Sequence, residues 1–140
     1  MSLIRFLEAQ NKDYEIALEE IKNGKKESHW IWYIFPQLRG LGNSYMSEIY
    51  GIENIVEARD FSFNEVLGPR LIEITNELLK LQTNNISDVM SYPDDLKLKS
   101  SMTLFAEARP DLDIFQKVLN KFYNGEKDKL TIEKLYGFDV

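Results

Sequence analysis

Apolar residues recur along most of the chain at spacings of three and four, the signature of helices that bury one face. Tyr14, Ala17, Leu18 and Ile21 form the first clear stripe. Asn11 and Asp13 precede it as candidate N-caps, and Gly24 follows it where a left-handed residue ends a helix. The pattern predicts a helix over 13–23 and a shorter helical piece near 3–9. Leu71, Ile74, Leu78 and Leu81 stripe a longer helix over 68–82, with Pro69 in its first turn. Leu96, Leu98, Met102, Phe105 and Ala106 mark another, opened by Pro93 and ending before Pro110. Asp111 reads as the cap of a helix over 112–123, with Phe115, Val118, Leu119 and Phe122 facing a core. Shorter helices are predicted over 45–50 (capped by Ser44, closed by Gly51), over 54–61, from Ser87 to 90 and over 128–135.

One segment is too short for periodicity to decide between helix and strand. His29-Trp30-Ile31-Trp32-Tyr33-Ile34-Phe35-Pro36 is aromatic and β-branched, which by composition suits a strand. No other segment offers a strand partner, and a lone strand leaves its backbone groups unpaired. A short buried helix over 30–35 is therefore the reading. Together the elements predict one all-α domain over 1–140, with about seven to eight helices. Several of them are short, which argues against a simple four-helix bundle.

Composition narrows the class without naming a function. The chain has 17 Lys and Arg against 23 Asp and Glu, a formal net charge of −6, and no cysteine. The acid excess argues against a nucleic-acid binder, which needs a basic face. The lack of cysteine removes disulfides, thiol nucleophiles and thiolate metal sites. A metal site would need mostly carboxylates, and adjacent acids such as Asp94 and Asp95 do not share a helix face, so neither metal nor cofactor is expected. No apolar run approaches the roughly 20 residues of a membrane span. No leader-like stretch opens the chain, which makes the cytoplasm the expected location.

Candidate chemistry concentrates between Ser28 and Ser44. This stretch holds His29, the only histidine, and both tryptophans, Trp30 and Trp32. It also holds Gln37-Leu38-Arg39-Gly40-Leu41-Gly42, a small-residue loop leading into the helix capped by Ser44. Free amides at such a helix start attract an anion, and Arg39 can add a bidentate contact. An aromatic face can stack a planar ring, and His29 or Glu57 can move a proton. The plainer alternative is that the aromatics fill a core, the glycines make a turn and His29 is a hydrogen-bonder. Between Lys26 and Lys80 the cations are Arg39, Arg59 and Arg70 alone. Arg70 falls at a helix start, the wrong end for a cation, so it calls for a partner. Glu73 or Asp60 is the ordinary choice, and an anionic ligand the sharper one. Ser100, Ser101 and Thr103 interrupt a helix of good apolar spacing, and close helix packing is the favoured explanation.

The run from His29 to Gly42, followed by Ser44 and Tyr50-Gly51-Ile52, resembles the core signature of domain of unknown function 1810. Glu57-Ala58, Leu67-Gly68-Pro69-Arg70-Leu71, Asp95-Lys97-Leu98, Ser100 to Phe105 and Lys121-Phe122-Tyr123 extend the match over nearly the whole chain. The resemblance implies a compact all-helical fold in bacterial cytoplasmic proteins and no established activity. Some members carry the label calpastatin, whose inhibitory regions are disordered, unlike this globular composition. Glu57, Arg59, Arg70, Lys99, Met102 and Lys121-Phe122 are also similar in order to patterns of an ADP-ribose-linked N-glycosidase family. Three functions follow as expectations. The first is binding of a small anionic, nucleotide-like or phosphorylated ligand by Trp30, Trp32, Gln37, Arg39, Gly40, Gly42, Ser44 and Arg70, with His29 and Glu57 as catalytic candidates. The second is a protein-interaction module with acidic helix faces. The third is the glycosidase-like enzyme.

Overall fold

A computed structural model describes residues 2–137. Among them are eight α-helices, one 3-10 turn at Ile86–Asp88, and no strand beyond a single parallel bridge between Leu38 and Ile52. The helices are α1 (Ile4–Lys22), α2 (Ile31–Ile34), α3 (Tyr45–Ile49), α4 (Ile55–Phe63), α5 (Leu67–Lys80), α6 (Asp94–Ala108), α7 (Ile114–Phe122) and α8 (Lys129–Tyr136). The 30–35 segment is thus helical, as a single turn. No helix is long and apolar enough to cross a membrane.

α6 lies at the centre, packed on α7, α4, α8 and α2, while α5 bridges α1, α4 and α7. A chain of aromatic rings runs through the core. Phe6 of α1 meets Phe61 of α4 edge-on at 5.1 Å, Phe61 meets Phe105 of α6 at 5.4 Å, and Phe105 meets Phe115 of α7 at 5.7 Å. All four are fully buried. Such ring pairs add about 0.5–1.5 kcal/mol each beyond their buried area.

Four local expectations need correction. The first segment is one unbroken helix, because Asn11 and Asp13 act sideways instead of capping. The Asn11 amide oxygen accepts from Arg70, and Asp13 accepts from the Tyr33 hydroxyl. Asn85, not Ser87, caps the 3-10 turn by accepting the Ser87 N–H at 3.1 Å. α7 starts two residues late, after Asp113, since the Asp111 carboxylate is engaged by Arg109 at 2.8 Å. Arg70 finds neither Glu73 nor Asp60 as an ion partner. It meets Asn11 at 3.4 Å and lies over the Tyr14 ring at 5.1 Å.

The Ser44 cap stands where the pattern placed it, and Asp128, expected as the first residue of the last helix, caps that helix instead. Ser44 accepts the Ser47 N–H at 3.1 Å, and Asp128 accepts the Thr131 N–H at 3.0 Å. α1 ends with Gly24 at φ +78°, where the Lys25 N–H reaches the Glu20 carbonyl and the Gly24 N–H that of Ile21. That is the paired closure of a left-handed helix end. The hydroxyl run of α6 is buried, and Thr103 accepts the Asp128 N–H at 2.8 Å, tying the start of α8 to α6.

Candidate functional site

The 28–44 segment divides into an inner and an outer half. Trp30 is fully buried, and its indole N–H donates to Glu20 at 2.9 Å. Glu20 also accepts the backbone N–H groups of Glu27 and Ser28 and the Ser28 hydroxyl. Burial works against its charge, but these donors outweigh it and lower the Glu20 pKa to about 2. Trp30 is therefore a core residue locked to α1. His29, next to it, is exposed, and among the described residues only its carbonyl is engaged, by the Tyr33 hydroxyl at 3.3 Å.

The loop after Pro36 is pinned to the segment after α3. The Ile52 N–H donates to the Gln37 carbonyl at 2.8 Å, and the Arg39 N–H to the Ile52 carbonyl at 2.9 Å. The Arg39 side chain donates to the Glu48 carbonyl at 2.9 Å and pairs with Glu53. Its remaining Nη2 is buried without a partner. Gly40 is exposed at φ +98°, in the left-handed region. Gly42 packs so closely that a Cβ there would lie 2.5 Å from Ser47 Oγ and 3.3 Å from Gln37 Nε2. Ser44 is exposed and spends its hydroxyl on the α3 cap.

Trp32 has a different environment from Trp30. It is half-buried, and its indole N–H is enclosed with no hydrogen-bond partner. It lines a narrow cleft with Ile31, Phe35, Gln37, Ser47, Tyr50, Gly51 and Lys97. About 10 Å³ of this cleft admits a water centre, room for roughly one oxygen-sized group. Every polar side chain in its wall can donate a hydrogen bond, and no carboxylate lines it. Lys97 has no ion-pair partner among the described residues.

The remaining candidates stand elsewhere. Glu57 is buried and paired with Arg5 at 3.0 Å, and it accepts the Glu53 N–H at 2.9 Å. Burial raises its pKa, but Arg5 and that N–H more than compensate and leave it below the usual value. Arg5 also donates to the carbonyls of Ile49 and Gly51 at 2.8 Å, so the pair fastens α1 to the α3–α4 connection. Arg70 lies against α1 at Asn11 and Tyr14, and Lys99 is 3.8 Å from Glu126. No hydrogen bond or ion pair joins any two of Glu57, Arg59, Arg70 and Lys99 among the described residues.

Of the sequence candidates, the fold thus gathers Trp32 and Gln37 at one cleft and distributes the others. Lys97, Ser47 and Tyr50 were missed as site residues. Lys97 carried a signal: a cation in the first turns of a helix is placed against the dipole, as Arg70 is.

No curated protein matches the chain. The crystal structure of the conserved hypothetical protein Rv1873 from Mycobacterium tuberculosis is similar, with 44% identity over 95% of each chain and a TM-score of 0.93. The all-α reading and the family resemblance are therefore both met: the chain belongs to the family of proteins of unknown function DUF1810, whose model matches residues 1–135.

Proposed function

We propose that the protein binds a small molecule through an anionic group seated end-on at the cleft of Trp32, Gln37 and Lys97. The observation that carries this reading is the enclosed, unpartnered Trp32 indole N–H in a wall that holds no carboxylate and whose polar side chains can each donate. A buried donor without an acceptor costs about 1–3 kcal/mol, and a bound oxyanion oxygen relieves it. Lys97 supplies the positive charge, and Gln37, held by the Leu38–Ile52 bridge, supplies a second oriented donor. The cleft admits only one oxygen, so the body of the ligand lies outside it. Arg39, tied to Glu53 and Glu48, holds the loop in place beside the cleft. A single bound water in the same position is the competing account.

A thermal-shift screen of nucleotides, sugar phosphates and simple carboxylates separates the two. A ligand at 100 times its Kd adds about 2.7 kcal/mol, a rise of several degrees in Tm for a domain of this size. The shift should vanish in Lys97→Gln and persist in Arg70→Gln. No stabilising compound, or shifts indifferent to Lys97→Gln, would leave the cleft to water.

A further inference from the structure

Lys97 stands within helical reach of an acid that it does not bind. Asp94 opens α6, and Lys97 follows three residues later, the spacing at which an acid and a lysine pair along one helix face. The other α6 positions at that reach are Ser100 and Ser101, and Pro93 precedes the helix, so Asp94 is the carboxylate that its own helix offers to Lys97. Asp95, two residues before Lys97, lies round the helix from it. Among the described residues Lys97 still has no ion-pair partner. Asp94 is taken by Lys26, at 2.8 Å.

Lys26 is itself fixed at several points. Its backbone N–H donates to the Val89 carbonyl at 2.7 Å, and its ammonium donates to the Ser28 carbonyl at 2.5 Å. The ammonium also lies 4.9 Å from the centre of the Trp30 ring, whose indole is held by Glu20. The Lys26 side chain is only 6% exposed. Leaving it unpaired would strand a buried charge, whereas the half-buried Lys97 keeps contact with water. Lys26 therefore holds the acid, and the charge of Lys97 stays uncompensated at the cleft.

We infer that Lys26 is a positioning residue for the anion at the Trp32 cleft: by occupying Asp94 it keeps Lys97 available. The inference rests on the reading of that cleft proposed above. Without Lys26, Asp94 turns to Lys97, offsets its charge and repels an incoming anion.

Two measurements on the full chain test this, and the first needs no anion. Lys97→Gln should not lower the urea midpoint of the native protein, because no pair is lost. In the Lys26→Met background it should lower the midpoint by about 0.2 M, because the new Asp94–Lys97 pair is broken. The second is a titration with inorganic phosphate, followed on the Trp32 indole N–H signal in NMR, with the Trp30 indole signal as the check on folding. Lys26→Met should raise the phosphate Kd about fivefold, and Lys26→Met/Asp94→Asn should restore it. A merely structural Lys26 would not be rescued by a second loss at Asp94. Lys26→Arg keeps the pair and should keep the Kd. Lys25→Met, which removes an exposed neighbouring charge, should keep it too. A midpoint that Lys97→Gln does not lower in the Lys26→Met background would overturn the inference. So would a Kd unmoved by Lys26→Met or unrestored in the double variant. If phosphate shifts no Trp32 signal in the native protein, the cleft reading fails instead, and the midpoint comparison still decides whether Lys26 withholds Asp94 from Lys97.

Discussion

The Glu20 carboxylate of α1 accepts the Trp30 indole N–H at 2.9 Å, and the same carboxylate gathers the backbone of Glu27 and Ser28. One acid thereby closes the connection from α1 to α2 and orients the aromatic segment. Glu20→Gln keeps the shape but turns one acceptor oxygen into a donor facing the Ser28 hydroxyl. The expected loss is about 1–3 kcal/mol, read from urea unfolding at neutral pH.

The same group sets an acid response. Its folded pKa, about 2, lies below the ordinary 4.5, so the unfolded chain binds the proton more readily. The stabilisation is present above pH 4.5 and is lost as pH falls toward 2. Glu57 and Glu107 are lowered too and contribute in the same direction. The discriminating readout is the gap in urea midpoint between wild type and Glu20→Gln. It should narrow steadily as pH drops from 5 to 2.5; a constant gap would contradict the assignment.

Glu57 entered as a proton-transfer candidate and is found holding Arg5. Removing one partner of a buried pair leaves the other charge uncompensated, which costs about 3–5 kcal/mol. The Arg5 guanidinium keeps its two backbone carbonyl acceptors, so a loss of about 2–3 kcal/mol is expected for Glu57→Gln. Chemical unfolding measures it. An unchanged stability would free Glu57 for a catalytic role.

The helices and their caps were legible where local chemistry decides. Ser44 caps its helix as expected, Asn54 and Asp128 cap the helices they were expected to begin, and the stripes of α5 and α7 reach the core as spaced. Asn11, Asp13 and Asp111 misled for one reason. Each is a good cap whose side chain is taken by another partner, Arg70 and Tyr33 from across the fold for Asn11 and Asp13, and Arg109 two residues away for Asp111. The site shows the same limit. Trp32 and Gln37 stood in a conspicuous motif, but Lys97 joins them only because α2 packs on α6. The loop is written in one segment, and the lysine across from it comes from another that only the fold brings near.

Gly42 gives a test of how the loop supports the Trp32 cleft. A methyl group there meets Ser47 Oγ at 2.5 Å and Gln37 Nε2 at 3.3 Å, and both line the cleft. Gly42→Ala must displace one of them. A loss of about 1–3 kcal/mol is expected, together with weaker ligand stabilisation in the thermal-shift assay. Full retention of both would mean that the loop adjusts without disturbing the donors.

Two hydroxyls of α6 separate paired from unpaired polar burial. Thr103 and Ser101 are both fully buried. Thr103 Oγ1 donates to the Lys99 carbonyl at 2.9 Å and accepts the Asp128 N–H at 2.8 Å. Ser101 Oγ has no partner. Thr103→Val keeps the volume but leaves the Asp128 N–H unpaired at the start of α8, which should cost about 1–3 kcal/mol. Ser101→Ala removes a hydroxyl that was desolvated without return, and should be neutral or stabilising by up to about 1 kcal/mol. Urea unfolding of the two variants side by side decides between them. If both lost stability equally, the hydroxyls would be acting through packing volume alone, and the tie between α6 and α8 would not rest on Thr103.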